Sequence, residues 1–111
     1  MSHPGFQALE RARQEVELWA SRRKLPLHRI EFVATFEDWD DGVGVWVFLT
    51  TDADLRRAKA ENLTGELSEV MLTALREADY PFDTHPKVVF KYDSHENVKL
   101  NYQGSYFYRL R

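Results

Sequence analysis

The chain has 111 residues, 43% of them hydrophobic and 14% aromatic, with 30% charged, a net charge of −3 and no cysteine. That length holds one hydrophobic core and is too short for two, and the aromatic content excludes a disordered chain. Without cysteine there are no disulfides, no thiolate metal sites and no cysteine nucleophile, and no apolar run reaches the roughly 20 residues that span a bilayer.

Met1-Ser2-His3-Pro4-Gly5 lacks the basic and apolar stretches of a signal peptide, so the expected compartment is the cytoplasm. Ser2 and Pro4 mark a helix start, and Leu9, Ala12, Val16, Trp19 and Ala20 recur at helical spacing on one face. Pro26 stops this helix, and the basic run Arg22-Arg23-Lys24 suits its negative end. From His28 to Asp38 the pattern alternates, with Ile30, Phe32, Ala34 and Phe36 on one side. The polar stretch Asp38-Trp39-Asp40-Asp41-Gly42 follows, then a second alternating run from Val43 to Thr50. Two such runs around a short Asp-Gly loop predict an antiparallel hairpin.

Thr51-Asp52-Ala53-Asp54 opens a helical stretch with a capping residue and acids in its first turn, interrupted near Asn62–Gly65. Leu63, Leu67, Val70, Met71, Ala74, Leu75 and Ala78 then form the clearest helical stripe, which Pro81 ends. Lys87–Tyr92 reads as a third strand, Asp93–Asn97 as a turn of helix, and Ser105–Leu110 as a fourth strand. The expected fold is a single α+β domain over residues 1–111, in the order α-β-β-α(α)-β-β. Its sheet has about four antiparallel strands in two hairpins, with two main helices on one face.

Charge is unevenly placed along the chain. Residues 31–54 contain Glu31, Glu37, Asp38, Asp40, Asp41, Asp52 and Asp54 and no Lys or Arg, whereas residues 1–30 carry a balance of +3. An acidic third repels phosphate backbones, which argues against nucleic acid as a partner. The cluster Glu37-Asp38-Trp39-Asp40-Asp41 lacks the alternating ligands of an EF-hand, because Trp39 occupies a ligand position, so no metal is assigned. Its plain reading is a solvated turn. Its functional reading is a protein contact: acids steer a basic partner and Trp39 supplies the anchor, with Asp52 and Asp54 extending the patch.

His3, His28, His85 and His95 match no ligand spacing. His95 lies beside Asp93 and Glu96, which suits a general base, yet no nucleophile is paired with it; Ser94 is merely its sequence neighbour. The aromatic end Tyr102, Tyr106, Phe107 and Tyr108, near Lys87, Lys91, Arg109 and Arg111, could stack bases, but sheet packing is the simpler reading.

The segments Asp93-Ser94-His95-Glu96-Asn97 and Tyr102-Gln103-Gly104-Ser105-Tyr106-Phe107-Tyr108 resemble the C-terminal parts of small bacterial immunity proteins of polymorphic-toxin systems, the YezG-like group among them. The resemblance covers less than a quarter of the chain and carries no functional residue across. It implies a small cytoplasmic inhibitor that occupies a toxin's surface. The expected function is therefore a cytoplasmic protein-binding module with a basic protein partner, as monomer or homodimer, with no catalytic residue, cofactor, nucleic acid or membrane assigned. The alternative is a small enzyme or ligand-binding domain, with a pocket between sheet and helices and His95, Tyr106 or Tyr108 as its polar groups.

Overall fold

The structure is a computed structural model that describes residues 5–33 and 42–110. Its elements run α1 (Phe6–Arg22), β1 (Leu27–Val33), β2 (Gly42–Leu49), α2 (Asp52–Ala60), α3 (Leu63–Glu77), β3 (Lys87–Ser94), α4 (His95–Asn101) and α5 (Tyr106–Arg109). The proposed helix start at Ser2 and Pro4 lies outside the described residues.

α1 buries Leu9, Ala12, Val16 and Ala20 of the predicted stripe, together with Ala8, while Trp19 is half-buried against the same core. It ends before Pro26 is reached. Lys24 adopts a left-handed φ of 55°, and the Leu25 N–H returns to the Ala20 carbonyl at 2.9 Å, which satisfies an orphan carbonyl of the last turn. Asp79 does the same after α3, with φ 60° and the Tyr80 N–H on the Leu75 carbonyl at 2.9 Å. Gly5 precedes α1 against the Tyr80 ring, where an added Cβ would stand 2.4 Å from Cε2. Burial pushes the Tyr80 phenol up to about 12.

β1 and β2 pair antiparallel, as the pattern predicted, with Ile30 opposite Val47 and Phe32 opposite Val45; the part of the first run from Ala34 to Asp38, and the loop as far as Asp41, lie outside the described residues. The rest of the sheet differs from the expectation. Among the described residues it has three strands in the order β1-β2-β3, and β3 runs parallel to β2 over Gly42↔Lys87 to Leu49↔Ser94. A parallel neighbour requires a long crossover, and α2 with α3 supplies it. The segment between the strands is a helical connection of a βαβ unit and not the link between two hairpins. Gly42 fits this pairing closely, since a Cβ there would lie 2.5 Å from the Lys87 carbonyl oxygen.

The fourth strand expected at Ser105–Leu110 is instead the single helical turn α5. Ser105 caps it by accepting from the Tyr108 N–H at 3.3 Å. The aromatic run has strand-like composition, but such propensity yields to tertiary contacts. In a helical turn Tyr106 and Arg109 share a face, whereas in a strand they would oppose each other.

The core lies on one face of the sheet. Val43, Val45, Val47 and Leu49 of β2 meet Leu9, Ala12 and Val16 of α1 and Leu67, Met71 and Leu75 of α3, all buried. Tyr92 enters from β3 with its hydroxyl satisfied by the Thr64 carbonyl at 2.8 Å and the Ser68 hydroxyl at 2.6 Å. No helix among the described residues is long and apolar enough to cross a membrane.

Candidate functional site on the outer sheet face

The acidic segment singled out in the sequence joins β1 to β2. Glu37, Asp38, Trp39, Asp40 and Asp41 lie outside the described residues. Asp52 and Asp54 are described, at the start of α2. Asp54 closes a capping box: its carboxylate accepts from the Thr51 N–H at 3.2 Å, and its own N–H donates to Thr51 Oγ1 at 3.1 Å. Asp52 accepts from the Ser94 hydroxyl, and its backbone N–H donates to Glu96 Oε1 at 2.9 Å. Asp52 therefore fastens α2 to the start of α4, whereas Asp54 caps its own helix. They stand at the Leu49 end of β2, while the acidic segment enters at the Gly42 end, roughly 20 Å away along a strand of this length.

Pleating sends alternate residues of each strand to the face opposite the core, and the register aligns them in three rows. The first is Arg29–Phe48–Asp93, the second Glu31–Trp46–Lys91, and the third Val33–Gly44–Val89. α5 lies over the first row and reaches the second. Tyr106 meets Phe48 edge-on with centroids 4.8 Å apart, and the Arg29 guanidinium sits 4.1 Å from the Tyr106 centroid. Arg109 lies over Trp46 at 4.5 Å and Tyr102 at 5.2 Å, and it donates through Nε to the Asp93 carboxylate.

Burial works to raise the Asp93 carboxyl. The Arg109 hydrogen bond, the Asn97 amide and the Ser94 N–H outweigh it and hold the group below its ordinary value. Glu31 pairs with Arg29 at 2.7 Å, so charges of both signs alternate around the aromatic rings. The third row has no such cover from α5: Val89 is 49% exposed, and Val33 and Gly44 are half-buried. On α5 itself Phe107 and Tyr108 point away from the sheet, at 67% and 56% exposure.

His28 joins this face through an irregularity of the strand. Leu27 pairs with Leu49 and Arg29 with Phe48, so one extra residue is inserted into β1 there. The insertion sets the His28 ring on that of His95, with centroids 3.8 Å apart and planes 18° from parallel. His95 Nδ1 in turn lies 2.7 Å from the Tyr106 hydroxyl. Two of the polar groups expected to line a pocket thus meet, but they do so outside the main core, and Tyr108 is not with them. Ser94, the neighbour of His95, is fully buried and serves as the N-cap of α4, accepting from the Asn97 N–H at 3.0 Å. Among the described residues no group of three or more His, Asp or Glu side chains is placed to hold a metal ion.

One signal for this cluster is present in the sequence. Leu27 and Ile30 both face inward although three residues apart, which requires an inserted residue between them. Comparison of the chain with protein families, with curated proteins and with solved structures gave no match.

Proposed function

We propose that this chain is a protein-binding module of the immunity-inhibitor kind, which occupies a basic surface of its partner. Its contact surface is the acidic segment Glu37–Asp41 with Trp39 as anchor, together with the third row of the outer sheet face beside it. The supporting observation is that row: Val33, Gly44 and Val89 leave an apolar strip next to the point where the acidic segment enters and leaves the sheet. An apolar strip flanked by the charges of Glu31 and Lys91 offers both parts of an interface, a desolvated centre and a charged rim. Asp52 and Asp54, engaged in hydrogen bonds at the far end of β2, contribute to the field that steers a basic partner more than to direct contact. Stacked bases fit the aromatic cluster poorly, because guanidinium groups already cover Trp46, Tyr102 and Tyr106.

The test is affinity capture with the purified chain from lysate of its native cell, at about 50 mM and about 500 mM salt, the range over which surface charges become screened. A single stoichiometric basic protein, held at low salt, released at high salt and lost with Trp39→Ala, is the expected result. A partner indifferent both to salt and to Trp39→Ala would refute the proposal.

A further inference from the structure

α5 is a single turn, too short to be stable alone, so contacts with the sheet must hold it. Arg109 fastens it to Asp93 and Tyr106 fastens it to Phe48, and Tyr106 is held in turn by the imidazole of His95, which is itself stacked on His28. We propose that the His28–His95 stack is a pH-sensitive latch, which holds α5 on the outer face of the sheet near neutral pH and releases it in mildly acid solution.

The geometry supplies the mechanism. His95 Nδ1 and the Tyr106 hydroxyl are within hydrogen-bond distance, and the latch takes the arrangement in which the hydroxyl donates and the neutral ring carries its proton on Nε2. A proton arriving at Nδ1 turns this acceptor into a donor and forces the hydroxyl to reverse. Protonation of both rings also brings two cations to 3.8 Å, beside a third charge, the Arg29 guanidinium over Tyr106.

Glu17 of α1 lines a hollow with His28 and Arg29 but is not among the groups that shift His28, and the other neighbouring carboxylates are committed elsewhere. On β1, Glu31 pairs with Arg29; on β3, Asp93 holds Arg109 and Asn97. On α2, Asp52 accepts from Ser94, and on α4, Glu96 accepts from the Asp52 N–H. Lys99 of α4 adds only positive charge, lining the same hollow as His95 and Glu96.

Desolvation lowers the His28 pKa below 6.5, and His95 and Arg29 lower it further. The closed state therefore binds fewer protons than the open one. The latch is complete above pH 6.5 and weakens as the pH falls from there toward the lowered value.

The test is nuclear magnetic resonance of the intact chain at pH 7.5 and pH 5.5, using His28→Phe as the comparison, since a phenyl ring keeps the stack but takes no proton. In the wild type, Leu110 amide protection, corrected for intrinsic exchange, should fall roughly fivefold or more on acidification, the lower end of typical coupling factors. The Tyr106–Phe48 ring contact should weaken with it, while α3 amides keep their protection. In His28→Phe the response should shrink clearly, because His95 Nδ1 still takes a proton but the second cation of the stack is gone. Unchanged protection in the wild type overturns the latch, and so does a loss in His28→Phe as large as in the wild type. Ring-proton titration gives an independent check: a His28 midpoint at or above 6.5 in the wild type would also overturn it.

Discussion

The two faces of the sheet are built on different principles. The inner face is closed by α1 and α3 through largely aliphatic side chains that are almost wholly removed from water, and the Tyr92 hydroxyl that enters it is satisfied by Thr64 and Ser68. The outer face is covered over its first two rows by one turn of helix, through aromatic rings interleaved with guanidinium groups, a carboxylate and a pair of histidines. Apolar burial is insensitive to pH and salt over the ordinary range, whereas contacts between charged and aromatic groups respond to both. The inner face therefore sets whether the chain folds. The outer face is where solution conditions and a partner can act without unfolding it.

Substitutions on the two sides should separate these roles. Leu67 of α3 is fully buried against the sheet, and Leu67→Ala should lower global stability by about 3 kcal/mol, within the usual range for a buried leucine. Chemical denaturation would show this as an earlier midpoint with an unchanged slope. Arg109→Ala on the outer face should cost less, about 1–2 kcal/mol, because the Arg109–Asp93 pair is only partly shielded from water. It should also change the acid response. With Arg109 in place the folded Asp93 pKa lies below 3.8, so its contribution is present above that pH and is lost as the pH falls through the lowered value. In Arg109→Ala this acid-sensitive contribution should shrink, which unfolding midpoints at pH 3 and pH 6 would reveal.

The same contrast explains how much was legible in the sequence. α1, the β1–β2 hairpin and α3 follow from single periodicities, because each buries one face against one core. The direction of β3 was not legible in that way. Its alternation is the same for parallel and antiparallel pairing, and only the helical length between β2 and β3 distinguishes them. β2 did carry a hint, since Trp46 and Phe48 make its outward positions as apolar as its inward ones, the mark of a strand covered on both faces.

α5 misled for a physical reason. Tyr106-Phe107-Tyr108 has the composition of a strand, and only the contacts of Tyr106 with Phe48 and of Arg109 with Asp93, far apart in sequence, select the helical turn. The capping box of Thr51 and Asp54 is local and was legible, but the Asp52 hydrogen bond to Ser94, 42 positions away, depends on where α2 meets α4. The His28–His95–Tyr106 cluster joins residues 67 and 11 positions apart in sequence, and periodicity does not report such distances.

The most direct test of the distinction between the faces is thermal unfolding of the chain shortened after Gly104, which removes α5 and leaves every inner-face element intact. The expected result is a cooperative transition with native helix content, its midpoint lowered by roughly 5–15 °C for the loss of about 2 kcal/mol, and a more solvent-exposed Trp46. A shortened chain with no cooperative transition would contradict the account, since it would make the outer cover as necessary to the fold as the core.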